Sequence, residues 1–353
     1  MRYTVATGRF ALLTRQESRL TANWVANKLA GISADLGDGL SVALMTHTGE
    51  ASFNTGEMPA QEILRRAVSA LHEAITRDVA SMPFSEATDT RHTQDFTLMH
   101  DLAIAIRQDK GLWLAYQPKI CLHSGKPIGL EALIRWQHPQ RGELSPAQFL
   151  PFAVQTELLS ELTTWVTEHA IARLSRLRNS YIQLPITINV SSSDFSRDGF
   201  ADELEEQMIR AKLPVSLLGI ECLETERILE SATAMRGLEM LKLRGFGISL
   251  DDFGTGYSNI SYLRRIPLDV IKLDRSLISE ISSDTASRVI ARSIIAMLKD
   301  LDYMVLAEGV ENAETVTALT EFGCDQAQGF FYSRPLPEAA LDEWLGWRLR
   351  SKC

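Results

Sequence analysis

The chain has 353 residues, enough for one large domain and a smaller one, since single cores seldom grow beyond about 250–300 residues. Its composition, 45% hydrophobic and 23% charged, is that of an ordinary globular protein, and its apolar runs fall far short of the roughly 20 residues of a membrane helix. A formal net charge of −9 without a long basic run excludes a surface built to neutralise a nucleic-acid polymer.

Met1-Arg2-Tyr3-Thr4 lacks the apolar core of a secretory signal. Cys121, Cys222, Cys324 and Cys353 form no CxxC pair, which argues against a zinc knuckle or disulfide framework. Together these features predict a cytoplasmic protein without a membrane segment. Residues 83–93 are polar and charged and read as a linker, which separates segment 1–82 from a larger domain over 94–350.

From Leu112 onward, short β-branched runs alternate with longer helical patterns. The strand candidates are Ile128–Leu130, Ile186–Ile188, Leu218–Ile220, Gly247–Leu250, Val270–Ile271, Met304–Ala307 and the run near Gly329–Phe331. Between them, Trp165–Leu177 carries Val166, Ala170, Ile171, Leu174 and Leu177 at helical spacing. Val289–Leu301 does the same with Ile290, Ile294, Met297, Leu298 and Leu301. Such alternation over roughly 250 residues predicts an α/β fold of the TIM type, a (β/α)8 barrel. A doubly wound open sheet is the alternative, but no Gly-rich dinucleotide loop follows an early strand.

A polar residue stands at the end of each candidate. Glu131, Asn189, Glu221, the pair Asp251 and Asp252, Lys272 and Glu308 follow the first six, and Gln328 stands beside the last. One such residue is ordinarily a solvated loop position. Seven in a row are expected to converge, because the C-terminal strand ends of a parallel barrel meet on one face.

Carboxylates brought that close cannot all stay ionised without cations between them. Oxygen ligands without His or Cys suit Mg²⁺ or Mn²⁺. Asp251-Asp252 is a natural bridge between two such ions, and a two-metal site can activate water and clamp a phosphodiester. Lys272 would hold the nucleophilic water or steady transition-state charge, or else act as a salt-bridge partner. Arg135 would bind a phosphate oxygen or cap a neighbouring carboxylate. The loop from Asp251 to Ser258 reads as a mobile, substrate-covering segment or a plain turn.

These motifs resemble the EAL family of cyclic di-GMP phosphodiesterases. They are Glu131-Ala132-Leu133-Ile134-Arg135-Trp136 with His138-Pro139, Asn189-Val190-Ser191, and Asp251-Asp252-Phe253-Gly254-Thr255-Gly256-Tyr257-Ser258. Ile271-Lys272-Leu273-Asp274, Ala307-Glu308-Gly309-Val310-Glu311 and Gln328-Gly329 with Ser333-Arg334-Pro335-Leu336 complete the set. The resemblance implies a barrel with one strand running against the others, a homodimer, and hydrolysis of cyclic di-GMP to linear pGpG. It implies two divalent cations, Mg²⁺ or Mn²⁺, on Glu131, Asn189, Glu221, Asp251 and Asp252. It further implies that Lys272 and Glu308 handle the water nucleophile, with Glu131 and Asp252 sharing in catalysis. Arg135, Gln328, Leu133 and Glu224 would line the substrate, Gln328 also facing the metals and water, and Glu224 would steady the Asp-Asp-Phe-Gly loop.

Three positions depart from the family pattern. Leu223 replaces the threonine of Glu-Xaa-Thr-Glu, and Val154 and Glu157 stand where Glu and Gly are usual. Segment 1–82 resembles the second half of a GGDEF domain, but Ala6-Thr7-Gly8-Arg9-Phe10 lacks both acidic residues of that signature. A degenerate remnant without synthetic activity is the expectation. For the barrel, the alternative function is a catalytically silent module that binds cyclic di-GMP or a protein.

Overall fold

The computed structural model describes residues 2–6, 9–15, 21–29, 33–35, 41–43, 46–154, 158–223, 231–254, 263 and 265–350. The chain divides into two compact units, Met1–Leu98 and Met99–Cys353.

In the first unit, β1 (Arg2–Ala6) pairs antiparallel with β2 (Arg9–Leu12), and β3 (Ser33–Asp35) with β4 (Ser41–Ala43). β5 (Thr48–Glu50) and β6 (Ser81–Pro83) run parallel and are linked through helix Ala60–Thr76. That helix packs directly on β5. A side chain at Gly49 would stand 2.3 Å from the Ala67 carbonyl oxygen, so the approach needs glycine. The segment read as a linker is largely helical, because the helix Glu86–Gln108 begins inside it. Composition alone does not separate the polar first turns of a helix from a loop.

The second unit is an eight-strand closed barrel surrounded by helices. Its strands are β7 (Leu112–Cys121), β8 (Pro127–His138), β10 (Ile186–Asn189), β11 (Leu218–Leu223), β12 (Gly247–Phe253), β13 (Val270–Leu273), β14 (Met304–Ala307) and β15 (Gln326–Ala327). Neighbours from β8 through β10 to β15 pair in parallel, and β7 closes the ring antiparallel to both β15 and β8. β9 (Gly142–Leu144) extends β8 outside the ring. From β10 to β14 the strands carry apolar, β-branched runs because both faces are covered, with Ile186, Ile188, Leu218, Ile220, Ile248 and Ile271 all inaccessible. Burying each such side chain contributes about 1.5–3 kcal/mol.

The helices follow their apolar stripes. Helix Leu158–Asn179 buries Leu162, Val166, Ala170, Ile171, Leu174 and Leu177, the face expected from the sequence. Helix Thr285–Asp300 instead buries Ala291, Ile295 and Leu298, while Ile290 and Leu301 stay exposed. It carries apolar residues on two faces, and the face of Ala291, Ile295 and Leu298 is the one buried. Three strands also differ from expectation, β7 lying outside the candidate runs altogether. β8 continues past Leu130 through Glu131 to His138, and the last barrel strand lies at Gln326–Ala327, with Gly329–Phe331 forming a turn after it.

Candidate active site

Each functional side chain reaches the site through its strand. On β8, residues 131, 133 and 135 share one face by the two-residue period of a strand, so Glu131, Leu133 and Arg135 line up together. Glu131 is buried, and Leu133 and Arg135 are half-buried. Asn189 ends β10, Glu221 lies within β11, Asp251 and Asp252 within β12 and Lys272 within β13. Glu308 and Gln328 directly follow β14 and β15. The register of β12 against β13 slips between Leu250 and Phe253, and within that irregularity Asp252 adopts φ 55°. A left-handed aspartate is tolerated in such a bulge, and it turns consecutive carboxylates toward neighbouring positions.

Lys272 is the centre of the cluster. Its Nζ lies 2.6 Å from Glu221 Oε2, 2.7 Å from Glu308 Oε1, 2.9 Å from Asp251 Oδ1 and 3.5 Å from Glu131 Oε2. A second ammonium, Lys119 on β7, bonds Glu221 Oε1 and donates to Thr187 Oγ1 at 2.7 Å. Glu221, fully buried, is thus held between two lysines. Asn189 Nδ2 donates to Glu131 Oε1 at 3.1 Å, which turns its side-chain oxygen away to serve as a cation ligand. Gln328 Nε2 donates to Glu131 Oε2 at 2.6 Å and to Gln117 Oε1 at 3.0 Å.

The electrostatics follow from this arrangement. Burial drives Lys272 toward neutrality, but the carboxylates of Glu131, Glu221, Glu308 and Asp251 outweigh it and hold its pKa well above the ordinary lysine value. Burial likewise pushes Glu221 up, yet Lys119 and Lys272 reverse the direction and keep it firmly ionised. Burial raises Glu131, and the charge of Glu221 adds to the rise. Glu308 is pushed up to about 8, first by burial and then by the Asp251 and Glu131 charges, against the pull of Lys272.

The donor set fits hard divalent cations. Ligand oxygens of Glu131, Glu221 and Asp251 lie within 4.8 Å of one another, as do those of Asp251, Asp252 and Glu308. The two groups share Asp251, the arrangement of a bridged pair of ions. Gln328 Oε1 is buried without a hydrogen-bond partner among the described residues, an oxygen that a cation or its water would satisfy. All of these ligands are oxygens.

Glu131, Asn189, Glu221, Asp251, Lys272, Glu308 and Gln328 are joined by these contacts, and Asp252 completes the second group. Arg135 stands on the Glu131 face of β8 with its guanidinium donating to the Ile134 carbonyl at 2.8 Å. Glu224, Glu157, the Leu223 side chain and residues 255–258 lie outside the described residues. Val154 is exposed at the end of helix Pro146–Ala153. Gln117 and Lys119 were missed by the strand-end reading, since they stand midway along a strand that runs the other way. Their signal was present: two polar residues, two apart, inside the apolar run from Leu112 to Cys121.

The family model of the EAL domain matches residues 99–335. A Pseudomonas aeruginosa protein, cyclic di-GMP phosphodiesterase PA2567, is 38% identical over 288 residues, covering 81% of this chain and 49% of its own length. The Pseudomonas aeruginosa cyclic di-GMP phosphodiesterase NbdA is 37% identical over 312 residues, 87% of this chain and 40% of that one. The chain therefore spans half or less of the length of these curated relatives. Among solved structures, the PaMucR phosphodiesterase in complex with c-di-GMP superposes with TM-score 0.64 at 37% identity, covering 69% of this chain and 99% of its own. With the family model matched across most of the barrel and the motif residues gathered at one site, the chain belongs to the EAL domain family.

Proposed function

We propose that the chain is a phosphodiesterase that hydrolyses cyclic di-GMP to linear pGpG, using two divalent cations, Mg²⁺ or Mn²⁺. The observation that carries this reading is the pair of oxygen-ligand groups sharing Asp251, with Lys272 between them. Relatives named as cyclic di-GMP phosphodiesterases and a relative solved with c-di-GMP support the choice of substrate.

Glu131, Asn189, Glu221, Asp251 and Asp252 would hold the cations, which when bound supply a water of lowered pKa and positive charge against the phosphate. Lys272, fixed by four carboxylates, orients the attacking water and offsets charge that develops on the phosphorus oxygens. Glu308, held 2.7 Å from the Lys272 ammonium, is placed to take the proton of that water once cation binding has expelled its own. Arg135 offers a guanidinium to a non-bridging phosphate oxygen. Leu133, Glu224 and Gln328 line the substrate and water, and the barrel acts within a homodimer in the cytoplasm. Segment 1–82 is a degenerate GGDEF-like remnant without synthetic activity.

The test is incubation of purified protein with cyclic di-GMP and Mg²⁺ or Mn²⁺, with EDTA as control, following pGpG by chromatography. Metal-dependent pGpG that disappears in Glu131→Ala is expected. Tight cyclic di-GMP binding without product in either metal would overturn the reading and leave a silent binding module.

A further inference from the structure

Gln117 lies buried midway along β7, and the sense of its two hydrogen bonds is fixed by chemistry. A backbone carbonyl only accepts, so the 3.1 Å contact with Ser333 O is made by Gln117 Nε2. That turns Gln117 Oε1 toward Gln328. An amide oxygen also only accepts, so Gln328 must present its Nε2, which bonds Gln117 Oε1 at 3.0 Å and Glu131 Oε2 at 2.6 Å. The far end of the Gln328 amide, Oε1, is then buried with no partner among the described residues. Orientation passes from the Ser333 carbonyl through Gln117 to Gln328, and its last atom is a lone acceptor beside a metal-ligand carboxylate.

We propose that Gln117 is a positioning residue: tied to the Ser333 carbonyl, it sets the Gln328 amide so that Oε1, and not the NH₂ group, is presented to the cations and their water. Without it, the Glu131 carboxylate, itself a cation ligand, is left alone to hold the amide in this sense, and a flipped Gln328 would turn two N–H donors toward the site, which a cation and its bound water repel. The inference rests on the two-cation reading above and adds the residue that orients one of its oxygens. Both ends of the Gln117 amide are engaged, by the Ser333 carbonyl and by Gln328. The residue acts through its neighbour, as outer groups do around metal sites, where their loss typically costs about 10–100-fold in metal affinity.

The test has two arms that do not require hydrolysis. In EDTA-treated wild-type protein labelled with ¹⁵N-glutamine, the Gln328 side-chain signal is identified by its loss in Gln328→Met. Its two N–H protons are expected to exchange with water far more slowly than those of an exposed glutamine. In the second arm Mn²⁺ is titrated without substrate: Gln117→Met is expected to bind about tenfold more weakly. The Gln117→Met/Gln328→Met double variant is expected to bind no more weakly than Gln328→Met alone, and kcat of Gln117→Met to fall more than KM changes. Fast exchange in wild type, unchanged Mn²⁺ affinity in Gln117→Met, or losses that multiply in the double variant would overturn the proposal. Should Gln117→Met fail to fold, the wild-type exchange measurement decides. A wild-type protein that makes no pGpG but shows slow exchange and coupled Mn²⁺ binding would refute the hydrolysis and leave this inference standing.

Discussion

Four carboxylates lie within 3.5 Å of the Lys272 ammonium, and the side chain is fully buried. Removing one partner of a buried ionic cluster is far costlier than the cluster's net worth, about 3–5 kcal/mol, because the remaining charges are left uncompensated. Lys272→Met is therefore expected to lower the unfolding free energy of the EDTA-treated protein by about that amount in urea titrations, with Mn²⁺ restoring part of the loss. Hydrolysis should vanish in both conditions. Glu308 supplies the pH counterpart. Its carboxyl titrates at about 8 in the metal-free protein, so below that pH it carries a proton that a cation must expel. Apparent Mn²⁺ affinity should rise as pH climbs toward 8 and then level off, with proton release visible as a buffer-dependent heat in calorimetry. At this scale the acidic residues and Lys272 were legible in the sequence, since each follows or sits in a recognisable β-run. Lys119 and Gln117 were not, because a rule built on C-terminal strand ends does not look midway along an antiparallel strand.

The elements around the site are held by contacts that leave little room for change. Asp194 is fully buried and accepts from Ser160 Oγ at 2.9 Å, Thr163 Oγ1 at 2.9 Å and Ser191 Oγ at 2.6 Å. It thereby ties the turn after Asn189 to helix Leu158–Asn179. Asp194→Ala would remove the acceptor that joins these three hydroxyls, and about 1–3 kcal/mol of stability should be lost in urea unfolding. Mn²⁺ binding should weaken as Asn189 loses its support. Gly329 presents the opposite case, too little space. A side chain there would stand 2.2 Å from the Val310 carbonyl oxygen and 2.3 Å from its nitrogen. Gly329→Ala is expected to destabilise by about 1–3 kcal/mol in thermal or urea unfolding, and to lower kcat by shifting the adjacent Gln328. Helix Leu158–Asn179 was legible because its stripe is clean. Helix Thr285–Asp300 was read one residue off because two apolar faces compete, and only packing against the sheet selects Ala291, Ile295 and Leu298.

For the whole molecule, alternation of strand and helix was enough to predict a closed barrel, but not its true edges. The segment read as a linker proved to open a helix whose C-terminal half belongs to the barrel. Asp101 bonds His138 Nε2 at 3.1 Å, and Arg107 bonds Glu161 Oε1 at 2.9 Å. A chain beginning at Ser85 should therefore fold cooperatively and keep metal-dependent hydrolysis, whereas one beginning at Leu112 should be markedly less stable by thermal unfolding. Ring closure carries a further consequence. β15 contributes two residues, so the ring is completed there through Leu306↔Gln326 and Ala307↔Ala327 on one side and Gln326↔Cys121 and Ala327↔Ile120 on the other. The β7 seam joins residues some two hundred positions apart, and loop closure of that length is paid for late in folding. Gln328 follows this narrow staple directly. The order of assembly then runs from hairpin β7–β8 to the final staple, and competence for catalysis arrives with the last stroke of refolding: in a stopped-flow experiment, secondary structure should recover before the capacity to capture Mn²⁺ does.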